Sequence, residues 1–332
     1  MNINHCTRII THANCADGIA SAMILRRALD LPVTWMSHGD DPDPEPALFC
    51  DISPPRHRVQ EWFDAGACVL DHHATARDIV ERFGVRGWYG DQSGVSGARL
   101  AYKLTLCINN SHAHFQASLF AATVGAYDTW SKQHALGGWG RACAAAEALL
   151  TYGGDEMLRS GRAWLTDDEY RVGRCVYERK LSQCQASLDA AQRISINDLR
   201  LLVAPDSRGL TNYMADMARE QGRRADALLT WRVGGGRARW SIRAIGDVDV
   251  SAFAQARGGG GHPGAAGFST AAPDAVAMLT SEQPLSDDEL VAWLSARPVY
   301  RNDAPSLVHA IRAGDHRAAK ARGELRPSEP PP

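Results

Sequence analysis

The sequence predicts an α/β protein: a parallel-sheet domain joined by a helix to a smaller mixed α/β domain. Three observations carry this. Residues 7–130 alternate short apolar stretches with helical ones, the pattern of a parallel sheet. Thr166-Asp167-Asp168-Glu169 has the form of a capping box. After it, Tyr177, Leu181, Cys184, Leu188 and Ala191 recur at three- and four-residue spacing, one apolar face of a long helix. Beyond that helix, stretches at 199–204, 227–233 and 237–243 read as strands and 212–220 as a helix. The resulting division is a first domain at 1–165, a connecting helix at 166–194, a second domain at 195–282, and a C-terminal helical extension and disordered tail at 283–332. A chain of 332 residues is long enough for two domains with separate cores.

The elements follow in order. Apolar Arg8-Ile9-Ile10-Thr11-His12 reads as a strand, and Gly18 opens a helix through Leu29. Asp40-Asp41-Pro42-Asp43-Pro44-Glu45-Pro46 is an acidic, proline-rich surface loop. Ala47-Leu48-Phe49-Cys50-Asp51 and Ala67-Cys68-Val69-Leu70-Asp71 read as further strands. Ser93-Gly94-Val95-Ser96-Gly97 is a turn into a helix at 98–106. In the second domain, Gly234-Gly235-Gly236 joins the last two strands as a hairpin. Ser286-Asp287-Asp288-Glu289 is another capping box, 305–322 a last charged helix, and 326–332 a disordered tail.

Composition sets bounds on function. Lys+Arg 36 against Asp+Glu 38 gives a net charge of −2, which excludes a strong non-specific grip on long duplex DNA. The eight Cys are scattered, with no CxxC pair and no zinc-like clustering. There is no signal-like N-terminus and no apolar run near the ~18 residues of a membrane span. The expectation is a reduced, cytoplasmic, soluble protein without a membrane partner.

Chemistry concentrates where strands end. His12, Asp51 and Asp71-His72-His73 each close an apolar strand, and the first strand runs on into Asn14-Cys15-Ala16-Asp17-Gly18. Ligands bind at the carboxyl ends of strands in open parallel sheets, so these side chains should converge. Oxygen ligands mixed with imidazole suit Mn²⁺, Fe²⁺, Co²⁺ or Mg²⁺. The pattern points to a metal-dependent hydrolase.

Asp71-His72-His73 resembles the motif that names the DHH phosphoesterase superfamily. It follows the Asp-Gly turn and the strand-end Asp51 in the order of that superfamily. Val124-Gly125-Ala126-Tyr127-Asp128-Thr129-Trp130 is similar to its fourth motif, and Gly258-Gly259-Gly260-Gly261-His262-Pro263-Gly264-Ala265-Ala266-Gly267-Phe268 to the glycine-histidine motif of the associated DHHA1 domain. The five motifs span roughly residues 8–270 and resemble the nano-RNase and RecJ-like branch.

The resemblance implies metal ligation by Asp17, Asp51, His72 and Asp128, with Asp51 bridging two ions, most commonly Mn²⁺. It implies an orienting role for Asp71. His73 would face the substrate, steadying phosphoryl oxygens or protonating the leaving oxygen. His12 is a ligand if the loop to Gly18 is locally shorter than usual. Cys15 stands where the superfamily has an Asp, and three readings stay open. It is a thiolate ligand favouring Zn²⁺ or Fe²⁺; it is a bystander, with Asn14 or water in its place; or one metal site is weak. Gly259, Gly260, Gly261 and His262 would form a phosphate-binding nest, with Arg243 as a phosphate or base contact and Arg257, Asn212 and Ser207 as weaker candidates.

The implied activity is a phosphodiesterase cutting short oligonucleotides or linear dinucleotides to nucleoside monophosphates. A metal centre that cuts and a second domain that holds the other end suit short substrates. The rivals are a cyclic-dinucleotide or other small-phosphoester hydrolase and a catalytically degenerate nucleotide-binding protein. A homodimer is compatible with the sequence.

Overall fold

The computed structural model describes residues 1–90, 94–108, 115–196, 198–206, 209–234 and 237–271. Several sequence expectations touch residues outside these: Ser93 of the turn before residue 98, Ser207, Gly235-Gly236 of the hairpin, the 272–282 end of the second domain, and the C-terminal extension at 283–332 with its capping box at Ser286, helix at 305–322 and tail at 326–332. The chain divides into two compact units, Met1–Arg179 and Lys180–Pro332.

In the first unit the described elements are β1 (Arg8–His12), α1 (Ala16–Leu29), β2 (Val33–Met36), β3 (Ala47–Cys50), α2 (Val59–Asp64), β4 (Cys68–Asp71), α3 (Arg77–Arg82), β5 (Gly87–Tyr89), α4 (Gly97–Ile108), α5 (Phe115–Asp128), α6 (Trp139–Tyr152) and α7 (Gly154–Arg159); α8 (Asp167–Asp189) continues into the second unit. The sheet order is β2-β1-β3-β4-β5, every pairing parallel. Strands of such a sheet are covered on both faces and so read as continuous apolar runs. Their period-two alternation divides the core. Ile9, Leu48, Cys50, Cys68 and Leu70 pack with residues of α1, α4, α5 and α6, while Ile10, Phe49 and Val69 pack with Trp62 of α2 and Ile79 and Val80 of α3.

Helix α1 starts at Ala16, two residues before Gly18. Cys15 is its extended N-cap residue, so Asp17 sits in the first helical turn, where a carboxylate is favoured by the helix dipole. The close packing explains Gly18: a Cβ there would lie 2.2 Å from the His12 carbonyl oxygen. The capping box of α8 forms as its sequence suggests. Glu169 accepts from the Thr166 N–H at 2.6 Å and the Glu169 N–H donates to Thr166 Oγ1 at 3.3 Å. Cys184 and Leu188 on its apolar stripe are buried.

In the second unit, α8 ends at Asp189 and the chain enters β6 (Gln192–Ile196), so strand structure begins inside the 166–194 stretch expected to be helical. There follow β7 (Leu199–Pro205), α9 (Thr211–Glu220), β8 (Ala227–Gly234), β9 (Arg237–Ala244), α10 (Ser251–Gln255), β10 (Gly260–His262) and β11 (Ala265–Ala271). Their sheet order is β10-β11-β9-β8-β7-β6; β7 and β8 pair in parallel and the rest antiparallel. Trp231, Trp240, Phe253 and Phe268 centre the core. Among the described residues no helix is long and apolar enough to cross a membrane.

Candidate metal centre

The strand ends bring the sequence-predicted ligands together at the carboxyl edge of the first sheet. Asp51 follows β3 in the left-handed region (φ 63°), a conformation Asp tolerates better than most residues. Its N–H donates to the Leu70 carbonyl at 3.1 Å, tying it to β4. The three residues between β1 and α1 are short enough to hold His12 at the centre, with Nδ1 3.9 Å from Asp51 Oδ2. His72 Nε2 stands among three carboxylates: 3.2 Å from Asp51 Oδ1, 3.4 Å from Asp128 Oδ2 and 3.8 Å from Asp17 Oδ2. Asp128 is delivered by the last residue of α5.

Donor atoms in three sets lie within 4.8 Å of one another: His12 with Cys15 and Asp51; Asp51 with His72 and His73; Asp17 with His72 and Asp128. Asp51 belongs to two of these sets and His72 to two, so the ligands could hold a pair of ions sharing residues. Buried His12 Nδ1 and Asp51 Oδ2 have no hydrogen-bond partner in the protein. Unpaired buried polar atoms cost free energy unless something satisfies them, and a divalent ion would do so here. The donor set therefore fits metal.

The electrostatics agree. Burial, then the charges of Asp17 and Asp128, push the Asp51 carboxyl well above the usual range. Burial and Asp17 push Asp128 up to about 7. Cys15 rather than Asn14 is the side chain brought to His12 and Asp51; Asn14 takes a left-handed conformation outside that set. Burial, then Asp51 and Asp17, raise the Cys15 thiol above its ordinary value.

Asp71 takes a different role. Its Oδ1 accepts from the backbone N–H of His72 (2.7 Å) and His73 (3.0 Å) and from His73 Nδ1 (2.8 Å), and its Oδ2 accepts from Ser53 Oγ at 2.6 Å. Burial raises its carboxyl, but the bonds from His73 and Ser53 outweigh that and hold it below the usual range. The imidazole that Asp71 orients is that of His73, whose side chain is 39% exposed.

Two features escaped the sequence reading. Asp17 accepts from the N–H groups of Gly97 (2.5 Å) and Ala98 (3.1 Å), so it also anchors the N-terminus of α4. Only glycine fits at 97: a Cβ would fall 2.5 Å from Asp51 Cβ and 2.8 Å from Asp17 Oδ2. The second feature is a cavity of about 410 Å³ beside His73 and Asp71, with Met36, Ile52, Pro54 and Ile79 on its apolar side and His38, Ser53 and Thr75 among its polar groups. Nothing in one-dimensional spacing marks either, because the partners come from elements remote in sequence.

In the second unit the glycine-histidine segment runs from the end of a short helix into an edge strand. Gly258 and Gly259 donate their N–H groups to Gln255 and Ala254 carbonyls at the end of α10, and Gly260–His262 form the edge strand β10. The N–H groups of Gly258 and Gly259 are thus spent locally. Gly259 and Gly261 also allow close packing. A Cβ at 259 would meet the Gly267 oxygen at 2.1 Å, and one at 261 the Ala265 oxygen at 2.5 Å. His262 is exposed on that strand. Arg243 donates from Nε to Asn212 Oδ1 at 2.6 Å, which joins two of the predicted contact residues.

The sequence reading missed Arg232, Arg237 and Arg239. With Ser241, Gly258, Gly259 and Ser269 they line a cavity of about 420 Å³. Arg232 lies directly across from Arg239 in the β8–β9 ladder, and all three arginines are exposed. Arginine at these positions is itself the available signal, but the facing register appears only once the hairpin is folded.

No protein-family model matches the sequence, and no curated protein matches it. Among solved structures, the DHH domain of a member of a ribosomal-protein family is similar at TM-score 0.54 and 13% identity, covering 80% of this chain and 83% of that one. A pGpG-specific phosphodiesterase from Vibrio cholerae aligns at TM-score 0.43 and 14% identity over 82% of this chain and 95% of that one. An exopolyphosphatase-related protein from Bacteroides fragilis aligns at TM-score 0.44 and 12% identity over 93% and 95%. The first of these likenesses shows that the chain has the fold of a DHH-domain protein.

Proposed function

We propose that this chain with the DHH fold is a metal-dependent phosphodiesterase that hydrolyses short oligonucleotides or linear dinucleotides to nucleoside monophosphates. The observation that carries the reading is the convergence of Asp17, Asp51, His72 and Asp128, with His12 and Cys15 beside them, around unsatisfied buried donor atoms. His12, Cys15 and Asp51 would hold one ion and Asp17, His72 and Asp128 the other, with Asp51 shared; Mn²⁺ is the ion proposed, with Mg²⁺, Co²⁺, Fe²⁺ or Zn²⁺ as substitutes. When bound, such ions supply Lewis acidity toward phosphoryl oxygens and acidify an attacking water.

The protein's own groups divide the remaining work. Asp71 holds His73 Nδ1, which leaves Nε2 as the ring atom able to pass a proton to the leaving ribose oxygen. The adjoining cavity of about 410 Å³ falls within the ~300–1,000 Å³ range of ligand sites, with room for one nucleotide. That size supports a short substrate. The arginines of the second unit are proposed to hold phosphate oxygens beside the glycine-histidine segment, whose Gly258 and Gly259 line the same cavity.

The first experiment is hydrolysis of a 5′-labelled dinucleotide with Mn²⁺, beside a long oligonucleotide and a cyclic dinucleotide, in the parent, Asp51→Ala and Cys15→Asp. Turnover of the dinucleotide is expected in the parent and lost by about 10²–10³-fold or more in Asp51→Ala. Unchanged activity in Asp51→Ala overturns the assigned centre. Faster cleavage of the long strand or the cyclic compound overturns the size argument. Turnover that appears only in Cys15→Asp identifies a degenerate centre, which the raised Cys15 thiol would explain.

A further inference from the structure

The carboxyl edge of the first sheet does not hold all of that unit's metal-ligating side chains. At the opposite, amino edge, His5, Cys6 and Cys68 bring one imidazole and two thiols to within 4.8 Å of one another. Cys68 opens β4 and Cys6 lies two residues before β1, strands that are separated in the sheet by β3. The turn at residues 3–6, closed by the Cys6 N–H donating to the Ile3 carbonyl at 3.0 Å, carries Cys6 across to Cys68. Both cysteines are buried, at 5% and 0% exposure, and His5 closes the cluster from the solvent side.

We propose that His5, Cys6 and Cys68 form a zinc site, separate from the carboxylate centre, that pins the N-terminal turn to β4. Soft thiolates with an imidazole select zinc over the hard ions suited to oxygen ligands. On binding, each thiol releases its proton to solvent and forms a zinc–sulfur bond, so two thiolates neutralise the dication and no net charge is left in the buried part of the site. His5 carries the arrangement common to liganding imidazoles. Its Nε2 sits 2.7 Å from the Gly66 carbonyl, which fixes Nε2 as the N–H donor and leaves Nδ1 with the lone pair. The exposed imidazole side provides an entry path and a position for water as the fourth ligand. Two buried thiols alone could be small core groups. The imidazole anchored beside them to a backbone carbonyl distinguishes this pair.

The test loads the intact chain with Co²⁺, which reports thiolate ligation by a sulfur-to-metal charge-transfer band, and measures zinc stoichiometry in parallel. The parent should show the band. Cys15→Ser, which removes the thiolate of the carboxylate centre, should keep a band; in that background Cys6→Ser or Cys68→Ser should lose it together with one zinc equivalent, and His5→Ala should weaken zinc binding by about tenfold or more. Because His5 is exposed, that variant gives a reading even if the cysteine variants fold poorly. A band that vanishes in Cys15→Ser and persists in Cys6→Ser overturns the proposal. So does the absence of any thiolate band, or a thiol titration showing Cys6 and Cys68 joined as a disulfide in the purified protein.

Discussion

At the carboxyl edge of the first sheet, Asp17, Asp51 and Asp128 crowd the His72 imidazole, with two of the carboxylates almost wholly buried. On the second sheet, Arg232, Arg237 and Arg239 stand exposed and form no ion pair among the described residues. Both clusters gather like charges, and like charges held together destabilise a fold unless an opposite charge arrives. The difference is solvent. Buried carboxylates must take up protons or a cation, so the first cluster is costly when empty. Exposed guanidiniums are screened by water and ions, so the second costs little and can exchange its partner quickly. The first suits a resident metal pair, the second a phosphate that comes and goes.

The comparison can be sharpened by separating chemistry from grip. His73→Ala should lower kcat for the dinucleotide by about 10²–10⁴-fold while metal content, measured by elemental analysis, stays the same. Loss of metal with it would move His73 into the ligand set, as its place beside Asp51 and His72 permits. Arg232→Ala with Arg239→Ala should act on KM and leave kcat in place. In a salt titration each substitution should reduce the slope of log affinity for an oligonucleotide by about 1. An unchanged slope would show that the exposed arginines are only a solvated face.

The buried cluster can also be probed without activity. The Asp128 carboxyl is raised to about 7 when folded and lies near the usual carboxylate range when unfolded, so the folded chain holds a proton over that interval which the unfolded chain releases. The Asp128 contribution to the stability of the metal-free protein should therefore be fully present below about pH 4, near the unfolded carboxylate pKa, and be lost as pH rises through about 7. Asp51 acts in the same direction. Bound metal needs the carboxylates ionised, so the gain in Tm on adding Mn²⁺ should grow over the same interval. A metal-induced shift in Tm that is flat with pH would remove the carboxylates from the site. The smallest expected effect lies away from both clusters: Thr166→Ala, which removes half of the α8 capping box, should cost about 0.5–2 kcal/mol in chemical denaturation and leave kcat unchanged.

The amino-acid sequence by itself determined the parallel sheet, the capped helix α8 and the strand-end residues that converge at the candidate metal centre. These are local matters: period-two burial, a capping box, and the rule that ligands sit where parallel strands end. The orienting role of Asp71 was what the resemblance of Asp71-His72-His73 implied, and the fold shows that the imidazole it holds is that of His73. Tertiary structure decided the rest. The second bond of Asp17, to α4, depends on an element about 80 residues away. The glycine run became an edge strand because its small residues let β10 lie against β11, a contact whose register is set by the whole hairpin. The facing arginines of β8 and β9, and the thiols of Cys6 and Cys68 across an intervening strand, are likewise products of pairing and strand order. Periodicity along a chain reports which face a residue takes; only the folded sheet reports what stands opposite it.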